Sequence, residues 1–95
     1  MESQVLVGSK PLMNYVNAVV MQFTTKGSDE VVIKSRGKFI YRAVDVAQVI
    51  SRRFLNGHIV VKDIGIGSEE FTNSEGRQVR VSTIAIRLAR KQAEQ

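Results

Sequence analysis

The sequence contains no cysteine, no tryptophan, one proline and one histidine in 95 residues. Without cysteine there is neither a disulfide nor a thiolate, and a lone histidine leaves scattered carboxylates as the only other metal donors. No apolar run approaches the roughly 20 residues that a membrane-spanning helix needs, and residues 1–7 are too short for a signal peptide. These shortages remove the usual residues of most enzyme chemistries. They lead to the expectation of a soluble, intracellular, non-enzymatic chain with no cofactor, no metal and no membrane partner. The six aromatic side chains, Tyr15, Phe23, Phe39, Tyr41, Phe54 and Phe71, are too few and too scattered for a base-stacking platform.

Positive charge is what the chain has in quantity. Fourteen Lys and Arg against nine Asp and Glu give +5, which makes anionic partners the natural ones. The charge is segregated. Residues 31–54 carry Lys34, Arg36, Lys38, Arg42, Arg52 and Arg53 against Asp45 alone, and residues 77–91 carry Arg77, Arg80, Arg87, Arg90 and Lys91 with no acid. Between them, residues 55–76 hold Lys62 against Asp63, Glu69, Glu70 and Glu75. Two basic segments flank an acidic one.

Periodicity divides the chain into six elements. Val5–Val7 reads as a short strand. From Pro11 the apolar positions Leu12, Met13, Val16, Val19, Val20 and Phe23 form one face of a helix, with proline in its first turn, Ser9 or Lys10 at its cap and Gly27 as its stop. Val31–Ile33 is a second strand. After the basic turn Ser35-Arg36-Gly37-Lys38, the residues Ile40, Val44, Ala47, Ile50 and Phe54 mark a second helix, widened by Val46 and Val49 and closed by Asn56-Gly57. Ile59, Val60, Val61, Ile64 and Ile66 give a long strand in which Gly65 and Gly67 suggest twist or a bulge, and Gln78–Leu88 returns.

The order β-α-β-α-β-β predicts an α+β two-layer sandwich, with two helices on one face of a four-stranded mixed sheet. The final hairpin is too long for the body. Its thirteen residues from Ile59 to Phe71 extend about 43 Å at about 3.3 Å each, whereas a domain of this size is roughly 30 Å across. A long protruding hairpin arm with a polar tip, Thr72–Arg77, is therefore expected, and residues 92–95 read as a disordered tail.

The segment Gly8-Ser9-Lys10-Pro11 raises the question of a nucleotide phosphate loop. Such a loop needs a second glycine and a hydroxyl residue after the lysine, and here proline follows, donating no N–H. What survives is a helix start with free amides and Lys10 beside it, adequate for one phosphate contact or for nothing but a solvated cap. Arg36-Gly37-Lys38 carries the same ambiguity. If both helices lie on one face of the sheet, their starts come together and the nucleic-acid reading gains. His58, the acids Asp63, Glu69 and Glu70, and Ser82-Thr83 lack the partners that acid–base or nucleophilic chemistry requires. Phe54 reads as core or as an apolar contact between subunits.

The stretches Gly8–Val16, Val32–Lys38, Ala43–Asp45, Arg53–Leu55 and Gly76–Ile84, in this order and without large gaps, resemble the archaeal Alba family of chromatin proteins. The resemblance covers nearly the whole chain and implies a single nucleic-acid-binding domain over residues 1–95. It implies a homodimer, or a heterodimer with a paralogue, that binds double-stranded DNA with little sequence preference. The two bodies would sit on the duplex, the arms would reach into minor grooves, and dimers would associate further along the DNA. It also implies RNA binding in some members and a cytoplasmic, chromosome-associated location; a subunit recognising duplex RNA by shape is the alternative. Carried over by residue, the nucleic-acid contacts fall on Ser9, Lys10, Asn14, Arg36, Lys38, Arg42, Arg77 and Arg80, and the contact between dimers on Phe54 and Arg53. Ser9 departs from the family, whose relatives place a first lysine there, so each subunit has one body charge fewer.

Overall fold

The computed structural model of the protein describes residues 3–54 and 57–91. Leu55, Asn56 and the expected disordered tail, residues 92–95, lie outside them. The elements are β1 (Ser3–Leu6), α1 (Leu12–Thr24), β2 (Glu30–Arg36), a 3-10 turn (Gly37–Phe39), α2 (Ile40–Arg53), β3 (Ile59–Thr72) and β4 (Gln78–Arg90). The sheet runs β1-β2-β4-β3, with β1 parallel to β2 and the other pairs antiparallel. This is the α+β sandwich expected from the element order.

Alternation along β2 sets the two layers. Val31, Ile33 and Ser35 point under the helices, while Val32, Lys34 and Arg36 point to the helix-free face. Against Val31 and Ile33 pack Val5, Ile86 and Leu88 from the sheet and Val16, Val19, Phe23, Ala43, Val46, Ala47 and Ile50 from the helices, as one buried core. The α2 stripe is rotated from the one expected: Ala43 and Val46 are buried and Val44 is exposed. The small Ala43 side chain lets the helix axis approach its neighbours, and Val44 is carried outward by the same rotation. On α1, Tyr15 is buried and Met13 exposed.

Two local expectations are corrected. Pro11 is itself the N-cap of α1, with an extended ψ of 142°, and no side chain caps the helix, so neither Ser9 nor Lys10 serves as cap. The irregularity in β3 lies at Lys62 and not at Gly65 or Gly67: Val61 pairs with Leu88 and Asp63 with Arg87, leaving Lys62 as an extra residue. The bulge changes the phase of the strand. Ile59 and Val61 face the helix side before it, and Ile64 and Ile66 face that side after it, opposite Ile86 and Ile84.

β2 ends at Arg36, opposite Thr83, and from Ser68↔Ser82 to Thr72↔Gln78 the last two strands pair only with each other. These five pairs and their tip are the arm. They stretch the molecule to 55 Å along one axis against 27 and 22 Å on the others.

Candidate nucleic-acid interface

Because β1 and β2 are parallel, both strands end at the same edge of the sheet, and so both helices begin there. The sequence expectation turned on this placement. The backbone N–H of Val7 donates to the Lys34 carbonyl at 2.8 Å, extending the ladder until the chain turns into Gly8–Pro11. That loop is held from two sides. The Tyr15 hydroxyl accepts the Lys10 N–H at 2.9 Å and lies 3.5 Å from where a Gly8 Cβ would stand. The Arg42 guanidinium, reaching across from α2, donates Nε to the Gly8 carbonyl at 2.9 Å and Nη2 to the Lys10 carbonyl. Ser9 and Lys10 are presented outward, exposed, with Asn14 exposed in the next turn of α1.

Arg36 and Lys38 stand exposed on either side of Gly37, whose φ of 58° is the left-handed conformation that a side chain disfavours. Lys10, Arg36, Lys38 and Arg42 are thus brought to one edge, at the root of the arm. Arg42 differs from Lys10 and Lys38 in that its Nε and Nη2 are engaged by backbone carbonyls of the loop.

The arm carries Arg77 and Arg80, both exposed. Its tip is built by Asn73, whose side-chain oxygen accepts the amides of Glu75 and Arg77, each at 3.0 Å, with Gly76 at φ 81° closing the turn. Near the root, Arg36 Nη1 lies 3.3 Å from Glu69 Oε2 and its guanidinium 5.5 Å from the Phe71 ring centre. Arg80 donates Nε to Glu70 Oε1 at 3.1 Å, and its Nη2 contacts the same oxygen. Composition along the chain missed these partners. In the sequence Glu69 and Glu70 belong to an acidic segment and lack catalytic partners; only the hairpin register places Glu70 opposite Arg80. The sequence alone does not show the hold of the Tyr15 hydroxyl on the Gly8–Pro11 loop or of Asn73 on the tip.

Arg53 and Phe54 are at the other end of α2, about 20 Å from its start at about 1.5 Å per residue. Arg53 is exposed; Phe54 is half-buried and packs against the core. A separate apolar surface lies on the helix side: Val61, Ile64 and Ile66 on β3, with Tyr41 and Val44 on α2, are all exposed, Ile66 to 86%. On the helix-free face, Glu30 accepts from Arg87 at 2.9 Å and pairs with Lys62. The hydrogen bond from Lys62, then that from Arg87, holds the Glu30 carboxyl below its ordinary pKa. Among the described residues there is no group of three or more His, Asp or Glu placed to hold a metal ion, and no helix is long and apolar enough to cross a membrane.

Residues 3–68 match the family model described as Alba. The DNA/RNA-binding protein Alba of Nanoarchaeum equitans is 54% identical over 89 residues, covering 93% of this chain and 98% of that protein. Among solved structures, Alba from Thermoplasma volcanium superposes with a TM-score of 0.84 at 39% identity, over 93% of this chain and all of that one. ALBA1 from Trypanosoma brucei shares the fold at 22% identity and a TM-score of 0.71, over 94% of this chain and 69% of its own. A hairpin arm rising from an edge that gathers two basic loops thus accompanies sequence identity over nearly the full length of both chains, and the protein belongs to the Alba family.

Proposed function

We propose that the protein is a non-enzymatic, dimeric, sequence-tolerant nucleic-acid binder that coats or bridges duplex DNA at the chromosome and also binds RNA. The observation that carries this reading is the gathering of Lys10, Arg36 and Lys38 at one edge, beside an arm that projects from it. Each of these cations is suited to a phosphate, so affinity would be electrostatic and tolerant of sequence. The name of the Nanoarchaeum relative, a DNA/RNA-binding protein, supports both ligands. Ser9 would offer phosphate a hydroxyl in place of a charge, and Asn14 would reach the backbone from the same helix start. Arg77 and Arg80 would follow the groove.

The dimer would form through the exposed apolar strip of β3 and α2. An isoleucine as exposed as Ile66 wants cover, and the strip lies on the helix side, away from the helix-free face of the sheet. Phe54 and Arg53, at the opposite end of α2, would meet the next dimer along DNA.

Binding of one duplex measured across a salt series tests the proposal. With three body cations per protomer, a dimer contacting about six phosphates gives a slope near −5 in log affinity against log salt. Lys10→Glu should weaken binding to all sequences alike. A flat salt dependence, or a loss confined to one sequence, would refute the phosphate grip. Competition between matched DNA and RNA duplexes at one salt concentration ranks the two ligands.

A further inference from the structure

The arm, residues 68–82, carries Glu69, Glu70 and Glu75 against Arg77 and Arg80, a net charge of −1. An element meant only to embrace a polyanion would not be built this way, because like charge opposes approach. The two root acids are also neighbours on a strand and therefore project from opposite faces of it. Glu69 meets Arg36 on the helix-free face, and Glu70 meets Arg80 on the other. Each face of the arm thus presents an arginine and a carboxylate side by side, as a donor next to an acceptor. In both pairs one carboxylate oxygen takes the arginine, and both side chains are more than half exposed, so the second oxygen is open to an outside donor.

From this pairing we infer that Glu69 and Glu70 are specificity-determining residues, which direct the arm to grooves that offer hydrogen-bond donors as well as phosphates. The inference rests on the arm entering a groove, as proposed above. The minor groove of A·T pairs exposes only acceptors, which a carboxylate repels, whereas G·C adds the guanine N2 amino donor. The wide minor groove of duplex RNA adds the 2′-hydroxyl of every residue. The shared chemistry is a donor on the groove floor or wall, from either source. In an A·T groove the carboxylates cost affinity twice, by repulsion and by holding the arginines back.

Inosine·cytosine duplexes separate the sources, because inosine is guanosine without its N2 amino group. The full-length wild-type protein should bind d(G·C) about tenfold or more tightly than d(I·C), the lower end of the scale of one lost charge-assisted hydrogen bond, and r(I·C) more tightly than d(I·C). The variant E69A/E70A should bind d(I·C) more tightly than wild type, having lost two negative charges per arm, and should show a preference ratio near one in both comparisons. E69Q/E70Q, which loses the charge and keeps an acceptor, should retain part of the ratio. D29N removes a charge at the far end of β2 from the arm and should leave both ratios unchanged. A preference in only one comparison assigns the donor to guanine or to the 2′-hydroxyl. A wild type without either preference, or an E69A/E70A variant that keeps both, overturns the inference. Loss of all binding by Lys10→Glu would meanwhile leave the broader reading standing.

Discussion

Arg42 looks in the sequence like one more phosphate-binding cation, and its hydrogen bonds give it a different task. Nε and Nη2 are directed to the carbonyls of Gly8 and Lys10, so the side chain ties the start of α2 to the loop that presents Lys10. Removing it leaves two partly exposed carbonyls that water can reach. At about 0.5–1 kcal/mol for each such bond, Arg42→Ala should cost about 1–2 kcal/mol, or roughly 5–15 °C in Tm for a domain of this size. Binding should weaken as well, through the loss of order at Lys10 and the loss of a nearby charge. A double-mutant cycle on a short duplex at low salt, read by fluorescence anisotropy with Lys10→Ala, Arg42→Ala and both together, separates these effects. If Arg42 acts through Lys10, Arg42→Ala should cost about 1 kcal/mol less once Lys10 is gone. Additivity within about 0.3–0.5 kcal/mol would show two independent phosphate contacts and refute the positioning role. Arg42→Lys sharpens the result: it keeps the charge but loses the planar fork that reaches two carbonyls, so it should behave more like alanine than like wild type.

The proposed dimer strip can be tested with Ile66→Asp, which exchanges an apolar side chain for a charge that dimerisation would bury. It should raise the dimer dissociation constant by about a hundredfold or more in sedimentation while leaving the fold intact, and an unchanged dimer would place the interface elsewhere. Phe54→Ala should reduce cooperative coating of long DNA while single-dimer binding to a short duplex stays nearly intact. Because Phe54 also packs on the core, the variant should lose about 1–3 kcal/mol of stability, and loss of the dimer itself would assign Phe54 to the primary interface. The Glu30 carboxyl is held below its ordinary value, so its contribution is present above the ordinary carboxylate range and is lost as pH falls through the lowered pKa. Thermal melts of wild type should therefore fall more steeply on acidification than those of Glu30→Gln; parallel curves would contradict this.

Much of the architecture could be read from the residues themselves. The α1 stripe, Val16, Val19 and Phe23, is the buried face, and the length of β3 alone required an arm. The rotation of α2 was harder to foresee. Its pattern holds two overlapping stripes, through Val44 and through Val46, and the choice between them depends on how closely Ala43 lets the helix approach α1 and the sheet. The edge that gathers Lys10, Arg36 and Lys38 was legible only conditionally, since it follows from β1 and β2 being parallel. The ion pairs of the arm were not legible at all. They require the hairpin register, and that is set by the Asn73–Arg77 turn beside the Thr72–Gln78 pair, whose closing hydrogen bonds a run of polar residues does not reveal.

That bulge separates the two jobs of one strand. Below Lys62 the alternation of β3 serves the core through Ile59; above it, the alternation decides which side chains the outside world meets. Deleting Lys62 would leave every other pair of the hairpin as it is, because Val61 would then run directly into Asp63, opposite the neighbours Leu88 and Arg87. Ile64 and Ile66 would stay on the helix side, Glu69 and Glu70 would keep Arg36 and Arg80, and only the local kink and the pair between Lys62 and Glu30 would go. The bulge thus absorbs an odd residue at one point and keeps it from turning the far half of the strand over. Related chains could gain or lose a residue of strand length there without changing what their arms present.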